Sequence, residues 1–295
     1  MHFTTPHWLD REAYPFQPNF IIIDNHRLHY VDEGQGETLL FVHGTPSWSF
    51  DYRHVIKALS SQYRCIALDH IGFGLSDKPK DYNYSTQNHA QTLAIFIQTL
   101  QLRAITLILH DFGGPIGFDY AIRVPKNIQR IVVLNSWLWS SADDPTFQKL
   151  QKALKSPLLP VLYKYFNFSV RFLLPRSFGS KKLNTHIHRQ YICPFSKIAH
   201  RDGPLAFAKS LLKDQPWFEA LWQQREILQT KPMLLIWGIK DPFISTAYLQ
   251  KFKEGFPQAK VMELANCGHF PQEEEGKQVA AMIGSFIRST ARKST

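Results

Sequence analysis

"LILHDFGGPIG", residues 107–117, decides how the rest of the chain is read. An apolar run of strand length ends at Asp111, and Gly113 and Gly114 follow after one residue. The local sequence offers this acid no cation, and many polar residues could merely end a strand. The placement is better explained if Asp111 is a nucleophile presented on a tight strand-to-helix turn. Gly113 stands two positions after it, where a Cβ would collide with such a turn. Two positions before it stands Leu109, so the first glycine of the usual small-x-nucleophile-x-Gly pattern is missing.

Outward from this stretch the chain alternates. "NFIIID" and "HRLHYVDEG" read as two antiparallel strands, and "TLLFVHG" as a short buried strand. "SFDYRHVIKALSS" has helical spacing of Tyr52, Val55, Ile56 and Leu59. "YRCIALDH" is the next strand. A helix then opens at Ser85 or Thr86 as N-cap. After the strand "AITLILHD", the helix "GGPIGFDYAIRVP" is stopped by Pro125, and "IQRIVVLNS" returns as a strand. Residues 137–217 break the rhythm. They hold no strand-like run and are rich in Lys, Pro and aromatics. "KPMLLIWGIKD", "STAYLQKFKEGF", "AKVMELANCGH" and "GKQVAAMIGSFIRST" then resume it as strand, helix, strand, helix. The pattern predicts an α/β fold, a mostly parallel sheet covered by helices, in which 1–136 and 218–295 form the core and 137–217 a helical cap insertion. No internal repeat or low-complexity segment is visible.

Composition narrows the function classes. The chain has 295 residues, a formal charge of +10 and a hydrophobic fraction of 44%. No apolar stretch is long enough to span a bilayer, and the N-terminus has no basic start followed by an apolar run. Cys65, Cys193 and Cys267 are too far apart for a metal motif or a disulfide framework, so a reducing, cytoplasmic setting is expected. Basic residues such as those in "QKLQKALKS" come without a nucleic-acid motif and read as a scattered, solvated face. The partner expected is a small-molecule substrate, with neither nucleic acid nor membrane.

In an open α/β sheet, function gathers at the carboxyl ends of the strands. Asp111, Asp241 and His269 all fall there, in the order nucleophile, acid, His of an α/β-hydrolase triad. Asp241 would orient and stabilise the imidazolium of His269. Asn135 ends another strand. As an amide it cannot replace the acid, and a structural hydrogen bond is expected of it. In "FVHGTPSWSF", Gly44 lets the loop approach the site, and the backbone N–H groups of Thr45 and Phe112 would form an oxyanion hole. "DHIGFGLSDKP", with Gly72 and Gly74, lacks a full dinucleotide fingerprint and reads as a sharp loop beside the site.

Taken together, "HGTPSWSF", "LDHIGFGLSDKP", "LHDFGGPIG", "IWGIKD" and "CGHFPQEEE" resemble the haloalkane dehalogenase family of α/β-hydrolases. The likeness spans most of the core, and "NSWLW" resembles the family's third subgroup. It implies the α/β-hydrolase fold, no cofactor and no metal, and conversion of a haloalkane to an alcohol and a halide. The family holds its halide with a Trp after the nucleophile and, in two subgroups, an Asn in "HGNP". Phe112 and Thr45 stand at those positions here. Phenylalanine has no N–H, and threonine offers only a hydroxyl. Trp137 and Trp139 are the indole candidates for the missing donors.

An ionised aspartate needs no base to displace a leaving group from saturated carbon. His269 would then activate the water that hydrolyses the alkyl ester. An epoxide or a β-lactone would pass through a similar ester but needs an acid for the departing oxygen. Tyr163, Tyr165 and Tyr191 are available for that. The third subgroup also resembles β-lactone decarboxylases, and soluble epoxide hydrolases share the Asp nucleophile. A catalytically silent hydrolase fold used for binding is the reading of another class.

Overall fold

The computed structural model describes residues 5–142 and 144–291. One eight-stranded sheet runs in the order β1-β2-β4-β3-β5-β6-β7-β8. β1 (Asn19–Ile23) and β2 (His26–Glu33) form an antiparallel hairpin. Its two loop residues, Asp24 and Asn25, both take positive φ, as a two-residue hairpin turn requires. β2 also runs antiparallel to β4 (Arg64–Leu68). From β4 onward every pairing is parallel, through β3 (Thr38–Val42), β5 (Ile105–Asp111), β6 (Ile128–Ser136), β7 (Met233–Gly238) and β8 (Lys260–Leu264). β3, β5 and β7 are buried at every residue, as continuous apolar strands covered on both faces must be.

Helices α1 (Arg53–Leu59), α2 (Thr86–Thr99) and α3 (Gly113–Arg123) connect these strands. The first turn of the helix read from residue 49 is 3₁₀, over Ser49–Tyr52. Ser85 caps α2: its hydroxyl accepts from the Asn88 N–H at 3.3 Å. Thr86 donates its hydroxyl to Asp214 instead. β3 pairs with β4 on one side and β5 on the other, so the order of strands reverses between β3 and β5. The loops leaving these two parallel strands diverge there and leave a crevice, where an open α/β sheet places its ligand. Gly44, Thr45 and Asp111 occupy that crevice.

Between β6 and β7 the described chain is helical and turn-like without a strand. It includes α4 (Pro145–Leu154), α5 (Leu159–Phe166), and helices over Thr185–Ile192, Asp202–Lys213 and Gln215–Gln223. Phe147, Leu154, Leu159, Tyr163, Leu205 and Ala208 form a small apolar cluster of their own, separate from the core around the sheet. The last helix crosses the boundary expected near residue 217. Among the described residues, no helix is long and apolar enough to cross a membrane.

Candidate active site

Asp111 sits in the left-handed region, with φ of 51°. A non-glycine residue holds that conformation only where its surroundings enforce it. Two hydrogen bonds and two close backbone approaches at glycines do so here. The Ser136 hydroxyl donates to the Asp111 carbonyl at 2.6 Å. The Thr45 N–H donates to Asp111 Oδ1 at 2.7 Å. A Cβ on Gly44 would strike the Asp111 carboxyl, and one on Gly113 would strike the Val42 carbonyl. Leu109, which replaces the small residue of the usual pattern, is accommodated because Gly117 in α3 leaves room for its side chain. α3 begins two residues after Asp111, so its positive end favours the carboxylate.

Asp241 follows β7 and His269 follows β8. His269 Nδ1 lies 2.7 Å from Asp241 Oδ2, and its Nε2 lies 3.5 Å from Asp111 Oδ2. All three side chains are buried. Burial disfavours a charged imidazole, but the Asp241 charge and the contact with Asp111 outweigh it and hold His269 well above its ordinary pKa. Asp241 is itself fixed from three sides. Its Oδ1 accepts from the N–H groups of Phe243 (2.8 Å) and Ile244 (3.0 Å), and its Oδ2 accepts from Asn135 Nδ2 (2.8 Å). Asn135 in turn accepts from the Gly238 N–H at 2.8 Å, which sets the orientation of its amide. The structural hydrogen bond expected of Asn135 is therefore one that immobilises the acid.

A cavity of about 410 Å³ opens above Asp111 and His269. Its wall is mostly apolar, with Leu150, Leu154, Leu173, Leu174 and Leu211 contributed by the helices between β6 and β7. Thr45, Phe112 and Trp137 line it. Phe112 meets Trp137 edge-on and lies tilted against Phe207. The Thr45 and Ser169 hydroxyls are buried without a partner among the described residues, and both residues face this cavity.

Several sequence expectations need correcting. Trp139 does not line the cavity: it packs against Trp222, Tyr248 and Phe252, with Lys251 over its ring. Of the three tyrosines, only Tyr163 lines the cavity. Tyr165 is exposed, and Tyr191 is spent on Glu273. The loop with Gly72 and Gly74 is sharp, both glycines having positive φ, but it stands one layer back. Its Phe73 packs on Phe207, which backs Phe112.

A second polar group, unread in the sequence, lies behind the first. His110 Nε2 is 2.7 Å from the main-chain carbonyl of His269, so it carries the proton and Nδ1 is an acceptor. That acceptor stands 4.0 Å from Asp51 Oδ2, which also takes a hydrogen bond from Gln272 at 3.1 Å. An ionised Asp51 would oppose the lone pair of His110, whereas a protonated one can donate toward it. Burial pushes Asp51 up to about 8, and burial, then the nearby His269 charge, push His110 down to about 3. The sequence signal was an acid between two aromatic residues at the helical start, "SFDYRHVI".

Residues 37–276 match the alpha/beta hydrolase fold family. A cis-3-alkyl-4-alkyloxetan-2-one decarboxylase of Shewanella oneidensis is 34% identical over 95% of this chain and 91% of its own. Haloalkane dehalogenase 2 of Mycobacterium tuberculosis is also 34% identical, over 93% of this chain and 96% of its own. Among solved structures, haloalkane dehalogenase DatA of Agrobacterium tumefaciens C58 superposes with a TM-score of 0.84 at 25% identity, covering 93% of this chain and 97% of that one.

Two outcomes follow from the charges described. Asp111→Asn keeps the shape of the site and removes one of the two carboxylates beside His269. The imidazole pKa, read by NMR titration, should fall by about one unit or more; an unchanged value would mean that Asp241 alone sets it. Asp51 binds its proton more tightly folded than unfolded, so it penalises folding increasingly as pH rises from its ordinary value of 3.8 toward about 8. Asp51→Asn should therefore raise Tm, by a margin that widens across that window. A margin independent of pH would show that Asp51 is ionised in the fold.

Proposed function

The chain belongs to the haloalkane dehalogenase family of α/β-hydrolases, and on that premise we propose that Asp111 attacks a saturated carbon and that His269 activates the water that hydrolyses the resulting ester. The observation that carries this reading is a carboxylate in place of a hydroxyl at the strand-to-helix turn, with a carboxylate-backed imidazole 3.5 Å away. A carboxylate is already a nucleophile, so the first step needs no base. In the resting site the two acids keep His269 charged, and it cannot then take a proton. Alkylation removes the negative charge of Asp111. With that support gone, the imidazolium can release its proton to solvent, and the neutral His269 then accepts one from the attacking water while Asp241 steadies the imidazolium it again becomes. Water adds to the Asp111 carboxyl carbon, and the oxyanion is met by the N–H groups of Thr45 and Phe112. The bond from the carboxyl carbon to the alkoxy oxygen then breaks as His269 returns its proton to that oxygen, freeing an alcohol; the proton left on the Asp111 carboxyl passes to His269, restoring the resting site.

Residues 1–136 and 218–295 act in this scheme as the core that presents the triad, and 137–217 as the cap that supplies most of the apolar wall. Haloalkanes are the leading substrate class. Among the family's two halide-holding positions, Phe112 and Thr45 offer no side-chain N–H, which leaves Trp137 as the indole on the cavity wall. A second reading, opening of an epoxide or β-lactone, is favoured by Tyr163. Burial, then the charge of Asp111, hold its phenol above the ordinary range, so it stays a protonated donor on the cavity wall. The Shewanella relative is named for such a lactone. An intact buried triad argues against a purely binding role.

Single turnover in heavy-oxygen water should place the label in the Asp111 carboxylate, and His269→Phe should accumulate a peptide containing Asp111 that carries the mass of the alkyl group. Label found only in the alcohol after the first turnover would replace this mechanism with direct attack by water. For the leaving group, Phe112→Trp combined with Thr45→Asn should raise halide release from short bromoalkanes by at least ~10-fold, about 1.4 kcal/mol of transition-state stabilisation. Wild-type release of chloride should be slow. Fast release of chloride by the wild type would point to Trp137 as a sufficient donor. A double variant that stays inactive, beside a wild type that opens β-lactones or epoxides, would give the second reading priority.

A further inference from the structure

The charge of this chain is not spread over it. Between Pro145 and Arg201 the sequence has eleven Lys and Arg and no Asp or Glu. The whole chain has 34 basic and 24 acidic residues, so outside this segment 23 basic residues face 24 acidic ones. The entire formal excess of +10 therefore sits in this one segment, whose residues up to Ser177 help to roof the cavity.

The same segment exposes large apolar side chains. Leu158, Val161 and Tyr165 are 62%, 41% and 66% exposed. Their spacing of three and four residues puts them on one stripe of the helix that spans Leu159–Phe166. Phe166 and Phe172 are exposed beside them. The opposite stripe of α5 is buried, and its Tyr163 lines the catalytic cavity. One short helix thus has its inner face in the substrate cavity and its outer face in water. Exposed basic residues flank α5 along the chain: Lys152 and Lys155 before it, and Arg171 and Arg176 after it, Arg176 donating to the Phe172 carbonyl at 3.0 Å; on α5 itself Lys164 is only partly exposed and pairs with Asp202. Among the described residues none of the four flanking residues is in an ion pair.

We propose that the outer face of α5, with its basic flanks, docks on the surface of an anionic lipid bilayer. Protruding Leu, Phe and Tyr side chains amid Lys and Arg suit the headgroup–acyl boundary, where apolar tips insert and cationic heads meet lipid phosphates. A protein partner fits less well, because lysine is depleted from protein interfaces and aligned acids would be needed to fix a register. Binding is peripheral, since no described helix can span a bilayer. The arrangement seats the cavity roof against the phase in which lipophilic molecules concentrate. It stands whichever electrophile Asp111 attacks.

The test is co-sedimentation of the full chain with vesicles of phosphatidylcholine alone and of phosphatidylcholine with about one third phosphatidylglycerol. Binding is expected to the anionic vesicles only and to weaken steeply with salt. Val161→Ser with Tyr165→Ser, and separately Lys152→Glu with Arg171→Glu, should each lower the partition coefficient by about tenfold or more. Turnover of a short water-soluble substrate and Tm should stay at wild-type values in both, which establishes that the fold is intact. Equal binding to neutral and anionic vesicles, or none to either, overturns the proposal. So does charge-reversal sensitivity without any effect of the serine pair, particularly if polyglutamate competes as well as lipid does. That pattern would indicate simple ion exchange or an acidic protein partner.

Discussion

The backbone at Asp111 is the constraint on which the rest of the site depends. A left-handed aspartate at the end of a buried parallel strand has an unfavourable conformation that the surrounding packing must hold. Removing Cβ atoms at Gly44 and Gly113 lets the β3 loop and α3 close on it, and Ser136 ties down its carbonyl from the neighbouring strand. The turn also aims the carboxylate out of the sheet into the crevice between β3 and β5. There the Thr45 N–H meets one oxygen while His269 meets the other. The sheet order, the glycines and the triad geometry are thus one arrangement seen at three scales.

Burial gives that arrangement its chemistry. Two carboxylates beside one imidazole in a dry site stabilise the charged His269 strongly, more than surface groups at the same distances would. The hydrogen bonds to Asp241 from Asn135, Phe243 and Ile244 keep one of these charges in place throughout. In the proposed mechanism the other charge is consumed by alkylation, so that step would itself switch the base on. Behind it, His110 holds the main-chain carbonyl of His269, and burial raises the Asp51 carboxyl toward its neutral form, which suits the imidazole lone pair facing it. The back of the site is neutral where the front is charged.

Much of this was legible in the sequence because it depends on local rules. Strand and helix periodicity located the elements. Residue order at the strand ends brought Asp111, Asp241 and His269 together, and the missing charge on Asn135 already marked it as a supporting group. What escaped depends on rotation about elements and on distant contacts. Trp137 and Trp139 are two residues apart just after β6, yet one faces the cavity and the other the Trp222–Phe252 cluster. Nothing in "NSWLW" says which. Asp51 and Gln272 meet across 221 residues, so no local pattern could have paired them. The basic residues looked scattered because most of them are balanced by acids; the unbalanced ones fall between Pro145 and Arg201, and only the fold shows that part of this segment covers the cavity.

The helices between β6 and β7 carry two demands that a single-faced helix would meet only once. Their inner surface must be apolar enough to keep water from the charged triad, and Leu150, Leu154, Leu173 and Leu174 supply that. Their outer surface would ordinarily be polar, with acids and bases mixed, as in a solvated helix of a soluble domain. In α5 it is instead largely apolar, and apart from the Lys164–Asp202 pair the exposed charges flanking it in the chain are basic. Like-charged flanks repel one another, at a cost in stability that opposite charges at helical spacing would have avoided. The wall of the cavity gains nothing from that composition. Its rationale lies outside the catalytic site, in what the roof meets beyond the protein.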